Sequence, residues 1–357
     1  MLGDAESRNP ARALVNRRRR LLYATAVAPA GTGNGLAMRA GMILEALRET
    51  CQVWVAMPGR TPAPDPPFDI VHVFRLAAMA AAKPYLASAR RRHLDLDDIE
   101  SKTHKRIEAL CRANGLVEAA DREEAESRRC ELLETAIFRS FDRVYVCSEA
   151  DRDALAQRCP AELLILPNAV RLPASPPGRS PSEPYRFLFI GTMGYYPNFD
   201  ACVWFCRKVA PILKRTAPEP FGVDIAGSGS AGVWEGHELL RFLGPVPQVG
   251  PIYEAAHAAI VPLRAGGGTR IKILEAFSYR RPVVSTTIGA KGITAAAGRE
   301  ILIGDSPEDF ASRCVELMRD RDLADRLAEN ALRLVTQLYS AETVKRIVSS
   351  PPVAPVP

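Results

Sequence analysis

The sequence predicts an α/β protein with two doubly wound domains, each built on a parallel sheet. Three observations support this fold class: the chain length, an alternation of short apolar runs with helical patterns, and one proline-rich break in that alternation. The chain has 357 residues, and single cores seldom grow far beyond about 250 residues, so length favours two domains. Strands that alternate with helices are typical of parallel β-α-β construction.

Five short apolar runs predict the strands of a first domain, which we assign to residues 18–170. The runs are residues 21–27, 51–57, 69–74, 142–148 and 162–167. Helical patterns separate them at 36–50 and along a charged stretch from about 102 to 140. The start of the first run, "NRRRRLLYATAVAPA", also resembles a signal peptide, but its apolar part is about seven residues long and suits a buried strand.

A proline-rich segment then interrupts the pattern. "RLPASPPGRSPSEP" (171–184) holds five prolines in fourteen residues, which predicts a stiff linker. A second domain follows at 185–340, with strands predicted at 185–191, 221–227, 258–263, 282–286 and 300–304 and closing helices at 306–319 and 321–338. The remainder, 341–357, is predicted to be a short helix and a proline-rich tail.

Composition excludes several classes of protein. The net charge is +6, and 39 of the 47 basic residues are arginine, a bias that fits phosphate binding and fits genome composition as well. No nucleic-acid-binding motif accompanies the scattered basic residues, so no nucleic acid partner is expected. The eight cysteines show no C-x-x-C spacing, which favours free thiols in a reducing cytoplasm. The five histidines form no metal-spaced set, so no metal is expected.

Two glycine-rich loops raise the hypothesis of dinucleotide binding. "GSGSAG" (227–232) satisfies G-x-G-x-x-G, but the segment after it is too short and too glycine-broken for the helix that this fingerprint needs. In "PAGTGNG" (29–35), Leu36 stands where a third glycine is expected. Dinucleotide binding is therefore disfavoured. Gly33 and Gly35 remain candidates for a first-domain loop that approaches a ligand.

Residues 265–276, "AGGGTRIKILEA", are the stretch most specific for function. Gly266, Gly267 and Gly268 strip side chains from the backbone directly before a predicted helix, so unpaired amides can meet a ligand. The N-terminus of a helix carries about half a positive charge, which makes this segment a predicted diphosphate site.

Charged residues surround this loop. Arg264, Arg270 and Lys272 would add formal positive charge to the site, and Thr269 lies between them. Glu275 is placed one turn beyond the anion site, where a carboxylate suits sugar hydroxyls better than phosphate. A glycine-rich turn with an i, i+3 ion pair on a solvated face is the simpler alternative for Lys272 and Glu275.

Several segments resemble the C-terminal half of GT-B glycosyltransferases of the family 4, or group 1, type. They are "FLFIGTMGYYPNFDACVWFCRKVAPIL", "FLGPVPQVGPIYEAAHAAIVPLRAGGGTRIKILEAFSYRRPVVSTTIGAKGI" and "LYS" (338–340). The first half is similar more loosely, through the loop at 31–35, "HLDLDDIES" (93–101), "VYVCSEADRDAL" (144–155) and "ILPNAV" (165–170).

The resemblance implies two Rossmann-like domains facing a cleft, with a nucleotide-diphosphate sugar held mainly by the second. The family's E-x7-E motif ends at Glu275, which would bind donor hydroxyls, most of all those of the ribose. Gly267 stands where the first glutamate of the motif is expected, so a contact near the transferred sugar is missing. The cation pair that the family places after the first strand of this domain is missing too. Arg264, Arg270 and Lys272 are the expected substitutes.

The resemblance also implies softer donor contacts and catalytic candidates. The donor contacts flank the first strand of the second domain or lie where the family binds the base: Gly191, Thr192, Asn198, Gly244 and Val246. The catalytic candidates are Asp97, Asp98 and Lys272. Asp95, Asp97 and Asp98 cluster at a strand end that faces the cleft, where one would act as a base or hydroxyl binder for the acceptor. Capping of the next helix is the commoner role for such residues.

These patterns together predict a glycosyltransferase that moves a sugar from a nucleotide-diphosphate sugar to a glycan, a lipid-linked saccharide or a small molecule. Loop amides and a helix dipole would stabilise the leaving phosphate, so neither metal nor cofactor is expected, and the resemblance implies retention of anomeric configuration. Two alternatives stay open: a non-catalytic nucleotide-sugar-binding protein or scaffold in polysaccharide assembly, motivated by Gly267, and a nucleotide-sugar epimerase.

The expected location is the cytoplasm. Basic runs at 17–20 and 90–92 raise the hypothesis of peripheral contact with an anionic inner membrane face that carries a lipid-linked acceptor. A solvated charged surface is the simpler explanation for such runs.

Overall fold

The structure is a computed structural model, which describes residues 18–60, 64–175, 184–229 and 238–349. Within these ranges the chain forms two six-stranded parallel sheets with helices packed against them, so the predicted α/β fold with two doubly wound sheets is confirmed. Most of the predicted linker (176–183), the end of "GSGSAG" and the end of the tail lie outside the described residues.

The first sheet uses strands from residues 19–165. They are β1 (Arg19–Thr25), β2 (Cys51–Ala56), β3 (Ile70–Phe74), β4 (Arg91–Asp95), β5 (Arg143–Val146) and β6 (Glu162–Ile165). Their spatial order is β2-β1-β3-β4-β5-β6. The helices are α1 (Gly35–Thr50), α2 (Met79–Leu86), α3 (Glu100–Ala113), α4 (Val117–Phe138) and α5 (Glu149–Leu155).

Both faces of this sheet are covered. Alternate residues of β1 enter different apolar cores, Leu22 and Ala24 on one face and Leu21 and Tyr23 on the other. Because both faces are buried, the strand reads as a continuous apolar run, and this made it recognisable in the sequence.

Two features of this half differ from the predicted elements. The list of predicted strands omits β4, because its sequence "RRHLD" offers too few apolar residues. The charged stretch predicted as one helical region is a hairpin of α3 and α4, which turns at Gly115 with a φ of 74°. A positive φ suits glycine, so the break between the two helices has a local cause.

The second sheet uses strands from residues 185–303. They are β7 (Tyr185–Ile190), β8 (Phe221–Ala226), β9 (Leu240–Gly244), β10 (Ala258–Val261), β11 (Val283–Ser285) and β12 (Leu302–Ile303), in the order β12-β11-β10-β7-β8-β9. The helices are α6 (Tyr196–Trp204), α7 (Ala210–Thr216), α8 (Gly250–Ala255), α9 (Ile271–Ser278), α10 (Thr287–Ala290), α11 (Pro307–Arg319) and α12 (Arg321–Leu338). A π-helical segment, Phe205–Val209, joins α6 to α7.

The strand order explains where a ligand can bind. Strands β8 and β9 follow β7 on one side, whereas β10, β11 and β12 lie on its other side. The order in which strands are added to the sheet therefore reverses between β7 and β10, and a crevice opens at their carboxyl ends. The segments that leave these two strands begin at Gly191 and Pro262, so the glycine loop lies at the crevice.

The last helix, α13 (Ala341–Ser349), returns to the first sheet. Its Val344 belongs to the same apolar core as Leu21 and Tyr23, and the amide of Val170 donates to the carbonyl of Tyr339 at 2.9 Å. The chain consequently passes between the two halves twice, once through 171–184 and once near Ser340.

The described part of the basic runs lies at the amino ends of β1 and β4, the edge of the first sheet opposite the crevice. Arg90 pairs with Asp69, and Arg92 pairs with Asp142. All eight cysteines are buried free thiols, as predicted. Across the described residues, no helix combines the length and the apolar composition that crossing a bilayer requires.

Candidate functional site

A cavity of about 940 Å³ lies between the two sheets, at the carboxyl ends of their strands. The first half lines it with the start of α1, with Arg75 after β3 and with the segment after β4. The second half contributes the segments that follow β7, β8, β9 and β10. Crevices of this kind are the usual ligand sites of doubly wound sheets.

The cavity brings together most of the residues that the sequence singles out. Those in its lining are Gly33, Gly35, Asp97, Asp98, Gly191, Thr192, Asn198, Val246, Gly267, Gly268, Thr269, Arg270, Lys272 and Glu275. Gly244, Arg264 and Gly266 do not line it. The carbonyl of Gly266 instead accepts a hydrogen bond from Arg106 of α3 at 3.0 Å.

The glycine loop has the backbone that its sequence suggests. Gly266 and Gly268 adopt φ values of 119° and 63°, which a residue with a side chain rarely tolerates. The Arg270 guanidinium donates to the carbonyls of Gly267 and Gly268, the latter at 3.0 Å. Burial lowers the pKa of Arg270. Arg270 therefore fixes the orientation of these two loop carbonyls.

Lys272 and Glu275 project from α9 into the cavity. The Lys272 ammonium donates to Asn198 Oδ1 at 2.8 Å and lies 4.1 Å from the centre of the Phe189 ring. Burial lowers the pKa of Lys272 to about 7. The Tyr253 hydroxyl donates to Glu275 Oε2 at 3.4 Å, and burial raises the pKa of Glu275 to about 7. Glu275 is only 8% exposed, so the alternative of a solvated surface pair is wrong.

At the base of the cavity, the loops that follow β7 and β8 approach each other closely. A Cβ at Gly191 would lie 2.8 Å from the Asn198 side chain, whose amide donates to the Thr192 carbonyl at 2.9 Å. Gly227 has a φ of 145°, and a Cβ there would overlap the carbonyl oxygen of Gly191. Only glycine at 227 allows the ends of β7 and β8 to meet in this way.

Arg264 does not fill the position expected of a diphosphate-binding cation. Its guanidinium pairs with Asp200 of α6 through two nitrogens, at 2.9 and 2.5 Å, and donates to Asn114 Oδ1 at 3.1 Å. Asp200 is 4% exposed, and a buried carboxylate requires such a partner. Since Asn114 belongs to the first half of the chain, Arg264 joins the two halves instead of facing the cavity.

The aspartates after β4 have different environments. Asp97, with a φ of 57°, accepts from Arg75 at 3.2 Å and from Asn168 at 3.1 Å, and Arg39 lies 3.5 Å from it. The Asp98 carboxylate accepts from Thr103 Oγ1 at 2.7 Å, and burial raises its pKa. The expectation that one of these aspartates caps the next helix is wrong, because α3 begins after Ile99 without a side-chain cap.

Asp95 is a structural residue. It is fully buried and pairs with Arg39, at 2.8 Å through one carboxylate oxygen. Arg39 also donates to Asn168 and to the carbonyl of Leu166, so it connects β4 to the segment after β6. This network holds the strand ends that carry the first-half wall of the cavity.

Sequence reasoning did not select several residues of the cavity. They are Arg75, Glu100, Thr103, His104, Asn168 and Tyr195. Arg75 directly follows the predicted strand "DIVHVF", so the rule that ligands meet strand ends would have found it. Its φ of 64° and ψ of 157° fall in a region that is almost restricted to glycine, and such strain concentrates at functional sites.

One trio of metal-ligand types lies beside the cavity within the described ranges: His104, Glu126 and Cys130. His104 Nδ1 already hydrogen bonds to Glu123 at 2.6 Å, and Glu126 pairs with Arg129. Burial also raises the pKa of Cys130 to about 11, so its thiol is not a ready ligand.

Residues 184–320 match the family model described as Glycosyl transferases group 1. A curated protein, an uncharacterized 44.6 kDa protein in the cps region of Klebsiella pneumoniae, is 24% identical over 168 residues. That match covers 44% of this chain and 43% of the other protein, so it spans less than half the length of the curated relative.

Solved structures are similar over almost the whole chain. Sucrose-phosphate synthase from Thermosynechococcus elongatus has a TM-score of 0.70 at 14% identity, with 92% of this chain and 97% of that chain covered. HepE of Anabaena, in complex with UDP and glucose, has a TM-score of 0.65 at 13% identity, with 93% and 98% covered. At these identities the likeness concerns the fold, which extends across both halves and the cleft between them.

Proposed function

We propose that this chain, a glycosyltransferase of the GT-B fold with a group 1 domain at residues 184–320, transfers a sugar from a nucleotide-diphosphate sugar to a hydroxyl acceptor. One observation carries the proposal: a bare glycine loop, a partly buried cation, Lys272, and a buried carboxylate, Glu275, face one cavity from a single loop and helix. The complex of HepE with UDP and glucose makes UDP the first nucleotide to test.

The diphosphate is proposed to bind at the N-terminus of α9. The amides of Gly268 and Thr269 and the positive end of the helix dipole favour an anion there. Lys272 adds a cation from within the first turn. When the glycosidic bond breaks, negative charge develops on the departing phosphate, and these preorganised groups stabilise it. The step therefore requires no metal ion in this proposal.

The nucleoside is proposed to lie further along α9. Glu275 accepts hydrogen bonds from the ribose hydroxyls, and the backbone near Val246 faces the base. Gly191, Thr192 and Asn198 form the surface beneath the phosphates. Gly35 starts α1 on the opposite wall, where its Cβ position is 2.6 Å from Ile271 Cδ1. This close approach directs the N-terminus of α1 at the donor as well.

The environments of the catalytic candidates separate their roles. Asp97 is engaged by Arg75 and Asn168 and lies 3.5 Å from Arg39, so it is proposed to hold the cavity wall and not to move a proton. Lys272 is assigned to the leaving phosphate. Glu100 also lines the cavity but pairs with Arg75 at 2.6 Å, so Asp98 is the first-half carboxylate left for the sugars. Retention of configuration and a glycan or lipid-linked acceptor are parts of this proposal.

A binding screen followed by a transfer assay tests the function. We expect UDP, GDP, ADP or TDP to raise the melting temperature of the protein, and Glu275→Gln to reduce that shift. Glu118→Gln, at an exposed position of α4, is the matched control. With donor and acceptor present, proton NMR of the product reports the anomeric configuration, and EDTA tests the metal independence. If no nucleoside diphosphate stabilises the protein, the proposal fails.

The second candidate function is a non-catalytic nucleotide-sugar-binding protein, favoured by glycine at position 267. Such a protein would bind the donor and release no nucleotide when acceptors are added. An epimerase would convert the donor without any acceptor. Measuring nucleotide release with and without acceptor therefore separates transfer from both alternatives.

A cytoplasmic location with peripheral membrane contact is also a proposal. The basic edge formed by the amino ends of β1 and β4 is its candidate surface, with Arg18 and Arg19 exposed. Co-sedimentation with vesicles that contain phosphatidylserine, compared with neutral vesicles, tests it. Equal binding to both kinds of vesicle, or none, would exclude an electrostatic contact.

A further inference from the structure

Position 267 is occupied by glycine for a reason that lies in the other half of the molecule. Unlike Gly266 and Gly268, Gly267 does not adopt a left-handed backbone conformation. A Cβ at 267 would nevertheless overlap Thr103 Oγ1 and both carboxylate oxygens of Asp98. The space that a side chain at 267 would use is therefore filled by a carboxylate from the first half.

The Asp98 carboxylate is held in this place by its surroundings. Thr103 Oγ1 donates to Oδ2 at 2.7 Å, whereas Oδ1 accepts no hydrogen bond from any residue that the structure describes. The turn before it is tight, because the Asp98 amide donates to the carbonyl of Leu96 at 2.5 Å and Asp97 has a positive φ. Asp98 also lines the cavity, so its free oxygen is available to a ligand.

The position of Gly267 relative to α9 indicates which part of a donor this carboxylate meets. Glu275 lies one turn inside α9 and marks the nucleoside end, and Lys272 marks the phosphates. Gly267 precedes the helix by four residues, so it lies on the side of the proposed phosphate position that is remote from Glu275. A group bound there contacts what is attached to the far phosphate, which is the transferred sugar.

We propose that Asp98 binds a hydroxyl of the transferred sugar from the first half of the chain, at the place where a side chain of residue 267 would otherwise lie. The inference rests on the proposed function and deepens it. The sugar subsite is then composite, with the phosphates held by the second half and the sugar carboxylate supplied by the first. It is complete only when the two halves are in contact, as they are between Arg106 and Gly266.

Comparing a nucleotide with its sugar conjugate tests the inference. We expect Asp98→Ala to leave the affinity for UDP within about twofold of the wild type and to weaken UDP-glucose at least about tenfold, since a hydrogen bond to a charged group contributes about 1.5–3 kcal/mol. Asp153→Ala, which removes a carboxylate with 69% exposure, is the matched control and should change neither affinity. Thr103→Val should weaken UDP-glucose less than Asp98→Ala does, with Thr135→Val on α4 as its control.

A reciprocal exchange provides a second measurement. Gly267→Glu alone places a side chain against Thr103 and Asp98, so it should lower the melting temperature and abolish the preference for UDP-glucose. In the Asp98→Gly background the overlap with the carboxylate is removed, and the Thr103 hydroxyl has lost its acceptor and can rotate away, so both properties should recover in part. The two changes are therefore expected to be strongly non-additive.

The outcomes distinguish the two levels of the proposal. Equal losses of UDP and UDP-glucose in Asp98→Ala, or no loss of either, overturn the role of Asp98 while leaving the transferase proposal intact. Additive effects of Gly267→Glu and Asp98→Gly on the melting temperature overturn the shared position. If the wild type binds neither UDP nor UDP-glucose nor any other nucleoside diphosphate, the proposed function fails, and the inference fails with it.

Discussion

Raising the pH from 7 to 9 should weaken donor binding through Lys272. Its ammonium faces the cavity between Asn198 and the Phe189 ring, and burial lowers its pKa to about 7. The protonated form is therefore half-populated at pH 7 and is lost as the pH rises. If a bound diphosphate keeps the lysine protonated, the linkage predicts a loss of affinity of about 50-fold between pH 7 and pH 9.

Ionisation of Glu275 changes the donor affinity in the opposite direction, by a smaller factor. Burial raises its pKa to about 7, so the ionised form that accepts ribose hydrogen bonds is already half-populated at pH 7. Its full ionisation increases the affinity by about twofold at most, which leaves a net loss of about 25-fold. Terminal phosphates ionise with a pKa of about 6, and a nucleotide sugar lacks that group, so the ligand contributes little.

Isothermal titration calorimetry of UDP-glucose, at several pH values between 7 and 9, measures this effect. Lys272→Met should bind with the weak affinity that the wild type shows at pH 9, and its affinity should change by no more than about twofold over the range. Lys83→Met, at an exposed position of α2, is the control and should retain the wild-type slope. A flat wild-type profile, or the same slope in Lys272→Met, would refute the assignment of Lys272 to the phosphates.

Three further changes separate structural from ligand-binding roles. Arg264→Met leaves the buried Asp200 with Asn114 alone, so it should lower the unfolding free energy by about 3 kcal/mol in urea denaturation and change UDP affinity by less than about threefold. A loss of UDP binding without destabilisation would instead return Arg264 to the donor site. Gly227→Ala should abolish UDP binding in calorimetry because its methyl group meets the Gly191 carbonyl, whereas Gly298→Ala, with open space around it, should cost about 1–2 kcal/mol and retain binding. His72→Phe should reduce the acid sensitivity of folding. His72 is buried, and burial lowers its pKa well below the usual value, so only the unfolded chain gains the proton below pH 6.5. The unfolding free energy of the wild type should therefore fall by about 2 kcal/mol between pH 8 and pH 5 through this residue, a loss that the variant avoids. Equal losses in both proteins, measured by urea denaturation at the two pH values, would contradict this account.

Local patterns in the sequence determined most elements of the fold. The predicted bounds 306–319 and 321–338 agree with α11 and α12 within one residue. Ser306 and Asp320 cap the first turns of these helices, which marks where each helix begins. The buried parallel strands were recognisable as continuous apolar runs. The glycine loop was recognisable too, because three side chains are missing between a predicted strand and a predicted helix, a pattern typical of anion sites. These features depend on residues that are close together in the chain, so they can be predicted from the sequence.

Contacts between the two halves were decided only by the tertiary structure. The edge strand β9 and the charged strand β4 carry weak apolar signals, and pairing with their neighbours forms them. The sequence predicts that Arg264 binds phosphate, but in the fold its guanidinium hydrogen bonds to Asp200 and Asn114. In the sequence, glycine at position 267 indicates that a carboxylate is missing. In the fold, Asp98 from the segment before α3 occupies the space that a side chain at 267 would fill. Residues far apart in the chain meet there because the sheets face each other through their strand ends, and no local pattern encodes that orientation.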